Sequence, residues 1–180
     1  MQEELIMKRR RYALTAAVAA ACMLVALCAY SQSYNSLTPL LVDLPGWSGG
    51  SPQGMDLDYS GTRAITAARE YEQGDKTASA AIVVGRQMEG SWNAAYQEGF
   101  MMETTEMSMA VERIRGFLVF HSYDKTSSNG VIVVLIEEAS PDGSEGAVFS
   151  FAFEGVGKDE GMKLAQRFDW NRIKAAVSKL

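Results

Sequence analysis

The sequence predicts an α+β domain, in which an antiparallel sheet of about six strands carries C-terminal helices packed on one face. Three observations predict this class: strand-length apolar runs separated by turn residues, one isolated segment with helical spacing, and two helical stripes at the end of the chain. The predicted order of elements is β-β-α-β-β-β-β-α-α, and the sequence contains no internal repeat.

The strongest strand signals lie in the second half of the chain. Three runs rich in Val, Ile and Phe are each bounded by turn-forming residues, which is typical of strands joined by hairpins. The predicted strands are Phe117–Tyr123, Val131–Glu138 and Ala147–Glu154. Because successive strand residues point to opposite faces, Phe149, Phe151 and Phe153 should form a row that needs a cover.

An earlier hairpin is predicted at Thr62–Tyr71 and Lys76–Gly85, with a glycine-containing turn between the two strands. Neither face of its first strand is cleanly apolar, which indicates a peripheral position in the sheet. Helical spacing at Ser91–Glu98 predicts a short amphipathic helix, and alternation returns at Thr104–Glu112.

Two helices are predicted at the C-terminus, Lys158–Phe168 and Trp170–Leu180. Apolar residues recur in both at i, i+3, i+4 and i+7, which is the helical period. Asp169 is the predicted N-cap of the second helix. The two apolar stripes are expected to cover the phenylalanine row.

The N-terminal segment has the pattern of an export signal. The basic residues Lys8–Arg11 precede an apolar run, Ala13–Tyr30. Residues 1–31 are therefore predicted to be a signal peptide cut before Gln32, or an uncleaved membrane anchor, because about 18 apolar residues begin to span a bilayer. The predicted location is the periplasm, or the inner membrane facing the periplasm. Residues 32–61 form a lead-in rich in Gly, Pro and Ser, and residues 62–180 form the single α+β domain.

Composition narrows the classes of partner. Both cysteines, Cys22 and Cys28, lie in the N-terminal segment, so the rest of the chain has neither disulfides nor thiolate ligands. Residues 1–31 carry four basic and two acidic side chains, so without them the formal charge goes from −5 to −7. Such an acidic domain lacks the clustered Lys and Arg that neutralise phosphates, which excludes nucleic acid as a partner.

Four methionines, Met101, Met102, Met107 and Met109, lie close together in the sequence. Thioethers are soft ligands that select Cu(I). Met107 and Met109 also share the side of their strand that is assigned to the core, where methionine fills gaps. The sequence therefore leaves two interpretations open, a Cu(I) site and core packing.

Three further features are candidates for contact with a substrate or ligand. His121 is the only histidine, so a hydrolase of the Ser–His–Asp type must use it, but a structural histidine in an apolar strand is the simpler interpretation. Trp47 lies in a Pro- and Gly-rich loop, where its ring covers the core or stacks on a ligand. Gly155–Lys158 is followed by acidic residues instead of the Ser or Thr of a phosphate loop, and no cofactor is predicted.

Four short motifs support a resemblance to a known group. They are Leu44–Trp47 (LPGW), Gly54–Met55 (GM), Ala68–Asp75 (AREYEQGD) and Phe168–Trp170 (FDW). Together they resemble a group of uncharacterised exported bacterial proteins of similar length, over most of the chain after the N-terminal segment. The resemblance implies no activity and carries over no catalytic residue.

The sequence therefore favours an exported, non-enzymatic binding or accessory protein of the cell envelope, with another envelope protein as its expected partner. Contact with the membrane is expected only through residues 13–30, if they are not cleaved. The alternatives are a periplasmic Cu(I)-binding protein that uses the methionine cluster, and a hydrolase that relies on His121.

Overall fold

The computed structural model describes residues 33–59, 62–85, 97–139 and 146–180, which form one antiparallel sheet with two helices. The strands are β1 Ser48–Gly49, β2 Gln53–Tyr59, β3 Thr62–Gln73, β4 Lys76–Gly85, β5 Met101–Glu103, β6 Met107–Ile114, β7 Phe117–Asp124, β8 Asn129–Glu137 and β9 Ala147–Glu154. Two 3-10 turns, Ser33–Ser36 and Thr38–Leu40, precede the sheet, and the helices α1 Lys158–Ala165 and α2 Trp170–Val177 follow it.

The strand order is β1-β3-β4-β9-β8-β7-β6-β5, and β2 pairs with β3 beside β1. This architecture confirms a mixed α+β class with C-terminal helices, but the prediction of about six strands is wrong because the sheet has nine. The additional strands are β1, β2 and β5. They lie at the two edges of the sheet, where pairing with β3 and β6 imposes an extended conformation on segments without strong strand signals.

The β3–β4 hairpin is not peripheral, contrary to the sequence-based expectation. Strand β4 pairs with β9 along eight residues, which places it next to the middle of the sheet. Its four residues on the helix side are buried although two of them are alanines. They are Ala78, Ala80, Ile82 and Val84. Small side chains therefore suffice here, because the bulk of the core comes from β9 and the helices.

Tight turns fix the register of two hairpins. Gly74 and Asp75 join β3 to β4, and Gly74 has a φ of 60°. Arg115 and Gly116 join β6 to β7 with φ values of 52° and 87°. The Arg115–Gly116 turn therefore has positive φ at both central residues, which is the requirement of a type I′ turn, and the twist of this turn matches that of the flanking strands.

The helices cover one face of the sheet, here called the inner face, and the phenylalanine row lies on it as predicted. Phe149 and Phe151 have no exposed surface, and the Phe168 ring, between the two helices, lies 4.9 Å and 5.9 Å from their ring centroids. Asp169 is confirmed as the N-cap of α2, since its carboxylate accepts the Arg172 N–H at 3.0 Å. The covered row of rings is the centre of the core.

Strand β3 holds the lead-in segment through alternate side chains. Leu37, Leu41 and Leu44 of this segment are buried in the core. Burial raises the pKa of Tyr71 to about 12, so its hydroxyl remains a donor. The hydrogen bonds, at 2.7–2.8 Å, run from Arg69 to the carbonyls of Leu41 and Gly50, from Tyr71 to Val42, and from Gln73 to Gly46. The motif AREYEQGD therefore binds the lead-in segment between Leu41 and Gly50, and its bond from Gln73 to Gly46 reaches the motif LPGW.

Some predictions fall on residues that the structure does not describe. The predicted helix Ser91–Glu98 lies mostly within residues 86–96, and the predicted signal or anchor lies within residues 1–32. Among the described residues, neither helix has the length and apolar character needed to cross a membrane.

Candidate functional site

The face of the sheet opposite the helices, here called the outer face, changes character along its strands. Toward one end it carries a second, smaller apolar cluster of buried residues: Val111, Phe120, Val133 and Val148. Toward the end that holds the β3–β4 turn it is polar and forms an open depression of about 510 Å³.

Strand register aligns the polar residues in a row across five strands. Glu72 pairs with Thr77, which in turn pairs with Glu154. Gly130 of β8 pairs with Phe153 of β9, so Asn129, one residue earlier on β8, lies opposite Glu154, one residue later on β9. Asn129 in turn pairs with Asp124 of β7. The row therefore places three carboxylates on alternate strands, with the uncharged Thr77 and Asn129 between them.

A second row lies one pleat behind the first, and both line the same depression. It contains one more carboxylate, that of Glu70. Its other members are uncharged: Ser79, Ala152, Val131 and Ser122. The depression lined by these two rows is called the acidic trough. Among the described residues, no lysine, arginine or histidine lines it.

Backbone hydrogen bonds favour the charged form of one carboxyl group in the acidic trough. The N–H groups of Ser127 and Thr126 donate to Asp124 at 3.1 Å and 2.7 Å, and these bonds lower the pKa of that carboxyl. Neighbouring strands lie about 4.8 Å apart, so Glu72 and Glu154 stand roughly 10 Å apart on alternate strands. Consistent with this spacing, the described residues contain no group of three or more His, Cys, Asp or Glu side chains arranged around one metal ion. The trough therefore presents several separate negative charges.

The four predicted methionine ligands do not share a face. Met102 pairs with Met109, and Met107 lies two residues from Met109 on β6, so these three lie on the outer face. Met101 pairs with Ala110 and lies on the inner side, with 77% of its surface exposed. The side of β6 that carries Met107 and Met109 was expected to face the main core. The helix side of β6 instead carries Ser108, Ala110 and Glu112.

His121 lies on the inner face at the edge of the core, 6% exposed. Its Nε2 is 2.9 Å from Glu112 Oε1, which fits a neutral ring that donates its Nε2–H to the carboxylate. Burial lowers the pKa of His121, and the charge of Lys158 acts in the same direction, while the bond to Glu112 opposes them. The ring lines a small cavity of about 140 Å³ below the start of α1.

Ser108 lies on the same face as His121, two residue pairs along the β6–β7 ladder. Its Oγ is buried and makes no hydrogen bond within the described part of the chain. A Ser–His mechanism needs a hydrogen bond between nucleophile and base, and the described residues make no such bond to His121. The hydrolase hypothesis therefore stays a prediction without a supporting contact.

Trp47 is half-buried, its side chain packs on the core, and its backbone N–H donates to the Leu44 carbonyl at 3.0 Å. The ring thus covers part of the core at the edge of β3, away from the acidic trough. A ligand contact at Trp47 stays a prediction.

Comparison with protein-family models, with curated proteins and with solved structures finds no match for this chain. Function is therefore inferred from the geometry of the site.

The acidic trough was missed in the sequence because its residues come from five strands. A partial signal was present in the alternation of Glu70 and Glu72 on one side of β3, opposite the side of Arg69, Tyr71 and Gln73. Only the register joins this pair to Asp124 and Glu154.

Proposed function

We propose that this chain is an exported, non-enzymatic binding protein of the cell envelope, and that its acidic trough receives an extended cationic segment of another envelope protein. The observation that carries the proposal is the set of four carboxylates in the trough. Within the described residues, none of the four forms an ion pair with a lysine, arginine or histidine of the same chain. Their charges are left for a partner to neutralise.

The spacing of the carboxylates supports an extended segment. An extended chain in the polyproline II conformation has three residues per turn and rises about 3.1 Å per residue, so every third side chain returns to the same face at roughly 9 Å, close to the distance between alternate strands of the sheet. A segment laid across the strands with Lys or Arg at every third position therefore meets Glu72, Glu154 and Asp124 in turn. The aliphatic stems of those side chains can pack on Ala152 and Val131, because long cationic side chains bury their stems and leave the charge at the tip.

Export is the second part of the proposal, and features of the sequence support it. The basic residues Lys8–Arg11 precede the apolar run Ala13–Tyr30, and both cysteines lie before residue 32. The acidic charge of the remainder suits a cationic partner, because complementary charge steers association.

The test uses a synthetic peptide with lysine at every third position and alanine between, titrated into the purified full-length protein. We expect saturable binding that weakens as salt rises, because the Debye length falls from about 30 Å at 0.01 M to about 10 Å at 0.1 M salt. Exposed charge pairs are each worth about 0.2–1 kcal/mol, so E72Q/E154Q should weaken binding several-fold. Isothermal titration calorimetry measures both effects.

The matched control is E106Q/E138Q, which removes the same charge at two exposed carboxylates outside the trough. It should bind the peptide as the wild type does. Equal weakening by both double variants would mean that net charge alone attracts the peptide, and the proposal would fail. A peptide with glutamate in place of lysine should not bind.

A further inference from the structure

The methionines of the β5–β6 edge form a compact group on the outer face. Met102 lies directly opposite Met109 across the two strands, and Met107 is diagonal to Met102. Side chains directly opposite in an antiparallel pair have Cβ atoms about 5 Å apart, and diagonal neighbours are within reach of long side chains. Methionine has three rotatable bonds, so three sulfur atoms attached at these positions can turn toward one point.

Exposure differs among the three in a way that suits a preformed site open to solvent. Met109 is half-buried and packs against the outer apolar cluster, which restrains it. Met102 and Met107 are each 38% exposed, so their thioethers are accessible from solvent. Exposed methionine at two neighbouring positions is not explained by core packing.

The ligand chemistry selects one class of ion. Thioethers are neutral and soft, and they select Cu(I), whereas imidazole, carboxylate and water suit Cu(II), zinc and harder cations. Asp124 is the cross-strand partner of Met107, so one carboxyl group lies beside the three thioethers. The chain has one histidine, which is on the inner face, and its two cysteines lie before residue 32.

We infer that Met102, Met107 and Met109 form a three-thioether site for Cu(I) at the β5–β6 edge. This inference goes beyond the proposed function, because it assigns a different ligand to residues outside the acidic trough. Met101 is not a ligand of this site, since it lies on the other face of the same strand.

The experiment is an anaerobic Cu(I) titration against a chromogenic Cu(I) chelator, and it uses the full-length chain with C22S/C28S in every variant because cysteine thiolates also bind Cu(I). We expect one bound ion per chain. Substitution of leucine keeps side-chain volume close to that of methionine, and such swaps usually cost under about 1.5 kcal/mol in stability. Changes in the surroundings of a metal ligand already cost about 10–100-fold in affinity, so M102L and M107L should each lose at least that much.

The matched control is M101L, which removes a thioether from the neighbouring residue on the opposite face and should leave Cu(I) affinity unchanged. Met102 and Met107 are exposed, so their variants keep the core intact, and urea unfolding verifies this. Equal loss in M101L, or failure of the wild type to compete with the chelator, would overturn the site. The E72Q/E154Q variant should bind Cu(I) normally, so failure of the peptide test and failure of the copper test are distinguishable.

Discussion

The two faces of strand β9 differ as much as any two regions of the molecule. Three of its four inner residues are phenylalanine, Phe149, Phe151 and Phe153, the fourth is Ala147, and all four are buried on the helix side. Two of its outer residues, Ala152 and Glu154, line the acidic trough. Since strand residues alternate between faces, one eight-residue segment supplies both the centre of the core and part of the proposed binding surface. Stability and recognition can therefore be altered independently in this strand.

The same division extends across the sheet. Inner residues of β4, β8 and β7 continue the core around the rings, whereas their outer neighbours near the β3–β4 turn are polar. Helices cover only the inner face of the described sheet because the phenylalanine row presents the largest apolar surface. The outer face near the turn offers too little apolar surface to hold a helix there.

The largest expected effect is the difference in stability between substitutions on the two faces of β9. Phe151→Ala removes a ring with no exposed surface, and such changes cost about 3–5 kcal/mol, a large part of the stability of a small domain. Glu154→Ala changes an exposed side chain and should alter the free energy of unfolding by no more than about 0.5 kcal/mol. Urea denaturation of both variants measures these values.

In peptide titrations we expect the reverse order, with the larger loss of binding in Glu154→Ala. Glu154→Ala should weaken binding of the lysine-containing peptide, while Phe151→Ala, studied below its unfolding transition, should bind it normally. If Glu154→Ala destabilised the protein as much as Phe151→Ala, the division of β9 into a structural and a binding face would be wrong.

A smaller loss of stability is expected from a substitution at the contact between the inner face and α1. The Phe153 ring lies between Gly130 of β8 and Gly161 of α1, and a Cβ atom added at either glycine would lie 2.4 Å from its Cζ atom. Gly161→Ala should therefore cost about 1–3 kcal/mol through overpacking. Alanine is the better helix former by up to about 1 kcal/mol, so a loss of stability would show that packing outweighs propensity.

Gly50→Ala is the control for this substitution. Its added Cβ would make only ordinary contact, 3.7 Å from the Glu70 carbonyl oxygen. Stability should stay within about 0.5 kcal/mol of the wild type. An increase in stability for Gly161→Ala would mean that α1 moves away from Phe153 at little cost.

The parts of the fold that could be predicted are those encoded by local pattern. The phenylalanine row and the Asp169 cap follow from periodicity and from one side-chain oxygen at a helix start, and both are present. Strands β1 and β2 were not predicted, because the Gly-, Ser- and Pro-rich sequence around them indicates a loop. They become strands by pairing with β3, a contact between distant parts of the chain.

The acidic trough could not be predicted for a related reason. Glu72, Asp124 and Glu154 carry no local signal of a shared site, and their alignment depends on the register of four strand pairs. The methionine group was visible in the sequence as a cluster. Its division between faces depends on β5, which was not recognised as a strand, so Met101 was grouped with residues that lie on the opposite side of the sheet.

The smallest expected effect concerns pH and the one histidine. In the folded protein burial lowers the pKa of His121 below the ordinary value of 6.5, whereas the unfolded chain binds the proton at that value. The unfolded state therefore holds more protons as the pH falls below 6.5, and folding stability decreases until the pH passes the folded pKa. The slope cannot exceed about 1.4 kcal/mol per pH unit, the limit for one proton.

Burial sets the sign of this effect, and the charged groups that face the ring change its size. Lys158 from α1 opposes protonation and Glu112 from β6 favours it, while Tyr123 and Asp159 also line the cavity. Unfolding measured from pH 7.5 to 5.5 should show decreasing stability in the wild type and a flatter profile in His121→Gln. An increase in stability on acidification would mean that the Glu112 pair outweighs burial. Over the same range the lowered pKa of Asp124 keeps its charge, so peptide binding in the trough should not follow the stability of the inner face.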